Sequence, residues 1–187
     1  MHSTYARISN AGALATTVLL TILALVSSTT FLIPNTLNRR DAAATFKVTQ
    51  LNVVKGISQY DRRSNPYAKE REYAFVKFDL STDLRPLFNW NTKQVFVSLV
   101  ADYSTPSYPE NSVVLWDRIL TSSRHARINL QDARQKYEYK TREPSFGNGT
   151  AVYSLHWHVQ PYVGALTTGE IARTEEIRFP VAKLRSQ

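Results

Sequence analysis

Two histidines one residue apart, His156 and His158, come closest in this chain to a catalytic or metal-binding arrangement. Residues i and i+2 of a β-strand project from the same face, so both imidazoles could reach one metal ion. The chain has no cysteine, and no glutamate at a fixed nearby spacing completes the set of ligands. The pattern therefore favours a structural role for both histidines. The same alternation predicts an apolar face made of Ala151, Tyr153, Leu155, Trp157 and Val159, and a wetter face made of Val152, Ser154, His156 and His158.

Other catalytic motifs are missing from the sequence. There is no Gly-x-Ser-x-Gly elbow, no Ser-x-x-Lys pair and no glycine-rich phosphate loop. Gly147 and Gly149 are better explained as turn residues. The lack of cysteine also excludes disulfides, thiolate zinc sites and iron–sulfur clusters. We therefore predict no catalytic residue, no cofactor and no metal.

The charge of the chain is basic, with 23 Lys+Arg against 15 Asp+Glu and a net charge of +8. No run of Lys and Arg is longer than two residues, which indicates an ordinary solvated surface. The aromatic and basic segment Tyr60–Tyr73 could in principle stack on nucleic acid. Because it also contains three acidic residues, an exposed connection is the better interpretation, and we predict no nucleic-acid partner.

A segment without any charged residue, Ala11–Ile33, lies near the N-terminus. As a helix it would extend about 34 Å at roughly 1.5 Å per residue, enough to cross a bilayer. Its Thr and Ser hydroxyls can bond back to helix carbonyls, and Pro34 is expected to end the helix. A cleavable signal peptide cut near Ser28 is the alternative. No clean Ala-x-Ala site follows directly after the Leu/Ile/Val block, and apolar residues resume at Phe31, so an uncleaved anchor is favoured.

The orientation of this segment is left open by two opposing signals. Arg7 precedes it and Arg39 and Arg40 follow it, a bias that favours a cytosolic C-terminal domain. Against this, Asn148-Gly149-Thr150 is the one glycosylation sequon in the sequence. An oligosaccharide on Asn148 would require a lumenal or extracellular domain.

Period-2 alternation of apolar residues dominates beyond residue 44 and predicts an antiparallel β-sandwich. Two short segments, Leu84–Phe88 and Leu130–Gln135, resemble helical turns. The predicted connections are Tyr60–Glu72, Ser104–Asn111, Ser122–Arg127 and Thr141–Gly149. The predicted strands are Phe46–Val54, Tyr73–Leu80, Val95–Tyr103, Val113–Leu120, Tyr137–Lys140, Ala151–Val159 and Ile171–Val181.

Three sequence blocks together resemble subunit 3 of the eukaryotic signal peptidase complex, of the fungal type. The first is Phe78–Leu84 followed by Leu87–Gln94, which contains FNWNTKQ. The second is Asn111–Ile119, with VVLWD, and the third runs from the sequon at Asn148 through Leu155–Pro161 to Gly164 and Thr168-Gly169. The resemblance follows the chain in order through tail, span and β domain.

The resemblance implies a non-catalytic, single-pass type II protein of the endoplasmic reticulum membrane. Residues 1–10 would be a cytosolic tail, 11–33 a transmembrane signal anchor, 34–44 a juxtamembrane connection and 45–187 a lumenal β domain. The family's subunit supports assembly and activity of a separate serine-protease subunit that removes signal peptides. The implied partners are that subunit, the other small membrane subunits and membrane lipid. A β-sandwich binding protein, secreted or membrane-anchored and lacking a protease partner, is the alternative.

The Leu87–Gln94 block is the candidate interface with the protease subunit. Because aromatic side chains often anchor interfaces, Phe88, Trp90 and Trp116 are considered as anchors. For Trp116, a place in the sandwich core is at least as good an explanation. The residues expected to form the interface are Leu87, Phe88, Trp90, Lys93 and Gln94.

Overall fold

A single long helix, α1, occupies Thr4–Ile33 and begins seven residues before the predicted span. Its hydroxyls behave as the sequence predicts. Thr17 Oγ1 donates to the Ala13 carbonyl at 2.9 Å, and Ser28 Oγ donates to the Ala24 carbonyl at 2.8 Å. Bonds of this kind satisfy polar groups within the helix, so the segment remains compatible with an apolar surrounding. The computed structural model describes residues 3–33, 44–57, 63, 69–105, 107–141 and 143–184.

Strands make up most of the rest, as the period-2 alternation predicts. Pro34, the connection 34–43 and most of Tyr60–Glu72 lie outside the described residues. The strands are β1 (Ala44–Gly56), β2 (Arg71–Asp83), β3 (Thr92–Tyr103), β4 (Asn111–Leu120), β5 (Arg127–Arg134), β6 (Tyr139–Lys140), β7 (Thr150–Pro161), β8 (Thr167–Arg173), β9 (Ile177–Arg178) and β10 (Lys183–Leu184). Short 3-10 turns occupy Arg85–Leu87 and Ser123–His125.

The strands form two sheets whose main pairings are antiparallel. The first sheet has the order β10-β1-β2-β5, with β6 also pairing with β2. The second has the order β4-β3-β7-β8, with β9 also pairing with β7. Their inner faces meet in one core that includes Phe78, Leu99 and Trp157. This is the predicted β-sandwich.

One prediction of local structure is wrong. Leu130–Gln135, expected to form a helical turn, lies largely in the edge strand β5. Pairing with β2 overrides the helix-forming side chains, since propensity is weak beside tertiary pairing. Asp132, at φ 48°, lies where the pairing of β5 with β2 shifts its register, and its N–H donates to Asp79 Oδ1 at 2.8 Å. By contrast, the turn predicted at Leu84–Phe88 is confirmed by the 3-10 turn there.

The predicted strand Ile171–Val181 is divided in two, β8 and β9. Thr174 lies in the interruption, where its N–H donates to the Tyr153 carbonyl at 2.9 Å. Its hydroxyl in turn accepts the Tyr153 N–H at 3.0 Å. Thr174 thus remains hydrogen-bonded to β7, although it belongs to neither β8 nor β9. The chain turns there before β9 begins.

The two ends of the sandwich carry different connections between strands. At the Ala44 end, β1 begins opposite Thr82, and the connections 84–91, 121–126 and 162–166 come together. At the Asn148 end lie the connections 104–110 and 141–149. The twelve residues of β3 run between these ends, which separates them by roughly 36 Å at about 3.3 Å per residue.

Candidate functional site

The connection from β2 to β3, which contains the predicted interface, is tightly hydrogen-bonded. Pro86 lies in the first turn of its 3-10 segment, where a missing N–H costs nothing. Thr92 Oγ1 donates to the Leu87 carbonyl at 3.0 Å and accepts from the Asn89 N–H at 3.1 Å. The Asn91 N–H donates to Asn89 Oδ1 at 2.9 Å, forming an Asx turn. The loop is therefore held in one shape.

Asn91 also links this connection to the β7–β8 turn. Its amide Nδ2 donates to the Val163 carbonyl at 2.7 Å, and its Oδ1 accepts from the Val163 N–H at 3.2 Å. The Tyr162 N–H donates to the Asn91 carbonyl at 2.8 Å. Asn91 is 4% exposed, so these bonds form away from water. Two loops distant in sequence become one structural unit.

The structure divides the five predicted interface residues. Leu87 is 4% exposed and belongs to the core, so its side chain is not available to a partner. The prediction of Leu87 as an interface residue is therefore corrected. Phe88 is half-buried against the core, whereas Trp90 is 64% exposed and Lys93 is exposed. Gln94 Nε2 donates to Gln160 Oε1 at 2.7 Å. Trp116, at 6% exposure, is a core residue and not an anchor.

Two further apolar side chains accompany Trp90 at the Ala44 end. Tyr162 and Leu166, in the β7–β8 turn, are 69% and 55% exposed. The sequence analysis did not select them, because a single aromatic between two strands gives no periodic signal. A search for aromatic residues between predicted strands would have found Tyr162. We call the exposed group Trp90, Tyr162 and Leu166 the aromatic tip.

A carboxylate between two guanidinium groups lies beside the aromatic tip. Arg85 Nε donates to Asp83 Oδ1 at 2.9 Å, and Arg127 Nε donates to Asp83 Oδ2 at 3.2 Å. The hydrogen bonds from Arg85 are the main reason that the pKa of Asp83 lies well below its ordinary value. With two cations for one anion, this cluster is net positive.

The outward surface of the second sheet carries apolar side chains beside polar ones. Phe96 lies in register between Ile119 and His158, and the Phe96 and His158 ring centroids are 5.7 Å apart. Ile119 is 55% exposed. We call the group Gln94, Phe96, Ile119, His158 and Gln160 the outer row.

The histidine pair has structural partners. The Ser154 hydroxyl lies 2.8 Å from His156 Nε2, and burial together with the neighbouring His156 lowers the pKa of His158. Ser154 shares a face of β7 with His156, as the alternation predicts, but it is fully buried there and not wet. A substrate could not reach its hydroxyl in this arrangement. Among the described residues, no group of three or more His, Asp or Glu side chains is arranged to hold a metal ion.

The glycosylation sequon lies in a turn at the Asn148 end. Asn148 is exposed, and Gly147 has φ +60°, the left-handed region that glycine adopts without strain. At Gly149 a Cβ would lie 2.5 Å from the Ser104 carbonyl oxygen, so only glycine fits. The acceptor asparagine is therefore presented on a turn of fixed shape.

Comparisons with known proteins give a consistent result. The sequence model of the family described as "Signal peptidase subunit" matches residues 1–182. A protein of Yarrowia lipolytica named "Signal peptidase complex subunit 3" is 35% identical over 185 residues, covering 96% of this chain and 98% of that protein.

Two other relatives carry the same name and match over shorter stretches. The Saccharomyces cerevisiae protein is 48% identical over 103 residues, and the Debaryomyces hansenii protein is 43% identical over 112 residues. These alignments cover 54% and 59% of this chain. The chain thus spans 56% and 59% of the length of those two relatives.

Proposed function

The chain belongs to the signal peptidase subunit family, and from this membership we propose that it is a non-catalytic subunit of the endoplasmic reticulum signal peptidase complex. In this role it supports assembly and activity of the serine-protease subunit that removes signal peptides from translocating precursors. The observation that carries the proposal is the family match over residues 1–182, together with the Yarrowia protein aligned along almost its whole length.

The accessory role is supported by the burial of Ser154, which is paired with His156. Catalysis by serine needs a hydroxyl that a substrate can reach and donors placed for the oxyanion. Ser154 is fully buried beside His156. We propose that this pair stabilises β7 and that proteolysis belongs to the partner subunit.

We propose that α1 is an uncleaved signal anchor, with residues 1–10 cytosolic and the β domain, residues 45–187, lumenal. The helix is long and apolar enough over Thr4–Thr29 to cross a membrane. The exposed Asn148, at the end of the sandwich remote from Ala44, supports a lumenal domain that carries a glycan. Arg39 and Arg40 oppose this orientation by the simple charge rule.

The surface that meets the protease subunit is, in this proposal, the outer row together with Phe88 and Lys93. This retains Phe88, Lys93 and Gln94 of the predicted interface, leaves out Leu87 and Trp90, and extends the surface along the second sheet. Within the described residues β4 pairs only with β3, so the edge beside Ile119 is open to a partner. Exposed apolar side chains next to an open strand edge are typical of a protein-binding surface.

The experiment that tests the function is a tagged pull-down of the full chain from detergent-solubilised microsomes, followed by mass spectrometry. We expect a serine signal peptidase and the small membrane subunits to be recovered. Ile119→Asp should reduce that recovery several-fold, whereas Tyr108→Asp, a matched change at the Asn148 end, should leave it unchanged. Equal recovery with both variants would contradict the proposed surface.

Recovery of the chain alone, soluble and cleaved after the apolar segment, would contradict the proposed function. The alternative of a secreted β-sandwich binding protein would then replace it. Glycosidase treatment in the same preparation tests the orientation. A mobility shift that disappears in Asn148→Gln is expected for a lumenal domain, and no shift in the wild-type chain would contradict glycosylation at Asn148.

A further inference from the structure

The Ala44 end of the sandwich is the end that the chain reaches first after α1. Helix α1 ends at Ile33 and β1 begins at Ala44, with ten residues between them. An extended residue covers at most about 3.6 Å, so Ala44 lies within roughly 40 Å of Ile33. This connection limits how far the Ala44 end can lie from the helix terminus, whereas the Asn148 end is tethered only through the length of the sandwich.

The same end presents the aromatic tip to solvent. Trp90, Tyr162 and Leu166 are all more than half exposed, although the loops that carry them are tied together by the buried Asn91. Rigid loops that hold apolar side chains outward lose little conformational entropy when a surface covers those side chains. Trp and Tyr are also the residues enriched where proteins meet the headgroup region of a bilayer.

The charge of this end is suited to phospholipid headgroups. The connections 84–91, 121–126 and 162–166 contain no Asp or Glu, whereas they include Arg85 and Arg124. Lys93 is exposed next to the first of these loops. The nearby Asp83 is paired with Arg85 and Arg127, so these three side chains together retain one net positive charge. Cations beside exposed aromatic residues favour attachment to a phosphate-bearing surface.

We propose that the aromatic tip docks on the headgroup region of the bilayer that α1 spans. Trp90 and Tyr162 insert at the boundary between headgroups and acyl chains, and Arg124 lies near lipid phosphates. This inference rests on the proposed membrane anchoring. Because α1 tethers the domain to the same bilayer, a weak contact suffices: the tether supplies a high effective concentration. The docked domain would hold the outer row at a fixed height for its protein partner.

The test uses the exposed Trp90 as a probe in the full chain. The other two tryptophans, Trp116 and Trp157, are 6% and 3% exposed. The wild-type emission minus that of Trp90→Phe therefore isolates Trp90. The protein is reconstituted into vesicles of phosphatidylcholine with an anionic phospholipid, either unmodified or brominated near the carbonyl end of the acyl chains. Bromine quenches only tryptophans that reach the bilayer.

We expect brominated lipid to remove on the order of half of the Trp90 emission, as suits an interfacial tryptophan. The matched control is Tyr108→Trp in the Trp90→Phe background, which moves the probe to the Asn148 end of the same tethered chain. Its emission should be the same in brominated and unmodified lipid. A second variant, Leu166→Asp, should weaken quenching of Trp90 by placing a charge in the tip.

Flotation of the vesicles separates the two possible failures. If the chain floats with the vesicles but Trp90 is not quenched, docking is overturned while the proposed function stands. Quenching of Tyr108→Trp to the same extent also overturns docking, since the tip would then have no special position. If the chain does not float, the proposed membrane anchoring is wrong and docking falls with it. Loss of protease recovery from Trp90→Phe, with no quenching by lipid, would indicate a protein partner instead and overturn the lipid proposal.

Discussion

The two ends of the sandwich use aromatic residues in opposite ways. At the Asn148 end, Tyr103, Tyr139, Phe146 and Phe179 pack into one buried cluster, in which the rings of Phe146 and Phe179 stack with centroids 4.3 Å apart. At the Ala44 end, Trp90 and Tyr162 are left in solvent on loops that are nevertheless tightly bonded.

The difference shows that exposure of the aromatic tip is not the result of poor packing. Burying a large aromatic side chain is strongly favourable, and at the Asn148 end four rings are buried in one cluster. At the Ala44 end the side chains of Asn89 and Thr92 bond to the backbone of the same loop, while Trp90 is 64% exposed. At this end a hydrogen-bonded loop holds an aromatic side chain in solvent, and such an arrangement is suited to binding.

The largest effect is expected from removing a ring of the buried cluster. Phe146→Ala deletes a fully buried side chain that contacts three other rings, and a cost of about 3–5 kcal/mol is typical of such a cavity. Trp90→Ala should change stability by less than about 0.5 kcal/mol, because an exposed side chain leaves no cavity. Urea unfolding followed by the emission of Trp116 and Trp157 measures both. Equal costs for the two variants would remove the distinction between the ends.

An intermediate effect is expected where the Ala44 end is itself well packed. Asn91→Ala removes both hydrogen bonds that join the buried Asn91 side chain to the half-buried Val163 backbone, at a cost of about 1–3 kcal/mol. The fluorescence anisotropy of Trp90 should also fall, because its loop loses its attachment to the β7–β8 turn. Asn129→Ala, an exposed asparagine on β5 at the same end, is the control and should change neither quantity. Unchanged anisotropy in Asn91→Ala would show that the loop is held by other contacts.

The smallest effect concerns pH. The pKa of Asp83 is lowered in the folded chain by Arg85 and Arg127, so its ionised form favours folding above the ordinary pKa of about 3.8. That contribution is lost as the pH falls toward the lowered folded-state value. Asp83→Asn should therefore lose less stability than the wild type when the pH is reduced from about 6 to about 3.

The contribution of Asp83 is modest because the group is partly exposed and screened by solvent. Acid titration of the Trp116 and Trp157 emission measures the difference. Trp90→Ala, which alters the same end without changing a charge, is the control and should follow the wild-type curve. If Asp83→Asn lost more stability on acidification than the wild type, the proposed stabilisation by ionised Asp83 would be contradicted.

Much of the fold was predictable because its signals are local. The alternation in Tyr73–Leu80 and Ala151–Val159 predicts strands with a buried face, and both are confirmed. The uncharged stretch ending at Ile33 predicts one apolar helix, which the structure contains. Leu130–Gln135 was mispredicted because its helix-forming composition is opposed only by β2, a strand about fifty residues earlier in the chain.

The candidate site was less predictable because exposure depends on contacts between distant segments. Leu87 and Trp90 are three residues apart and both apolar, yet one is buried and the other exposed. Asn91 holds the loop that carries Trp90 in place, through its bonds to a residue about seventy positions later. Nothing near Tyr162 in the sequence indicates that it would lie beside Trp90.

The sequence by itself determined the apolar helix, the mainly β domain, the sequon and the blocks shared with a family, because each depends on neighbouring residues or on spacing. Tertiary structure alone decided which side chains the ends expose. It also set requirements that no local pattern reveals: a Cβ at Gly169 would lie 2.5 Å from Trp157 Cζ2, and the Gln135 side chain bonds both the Val76 N–H and the Ala74 carbonyl where β5 has ended. The physical reason is that burial and hydrogen-bond satisfaction are properties of pairs of segments, and pairing is settled only when the sheets close on one core.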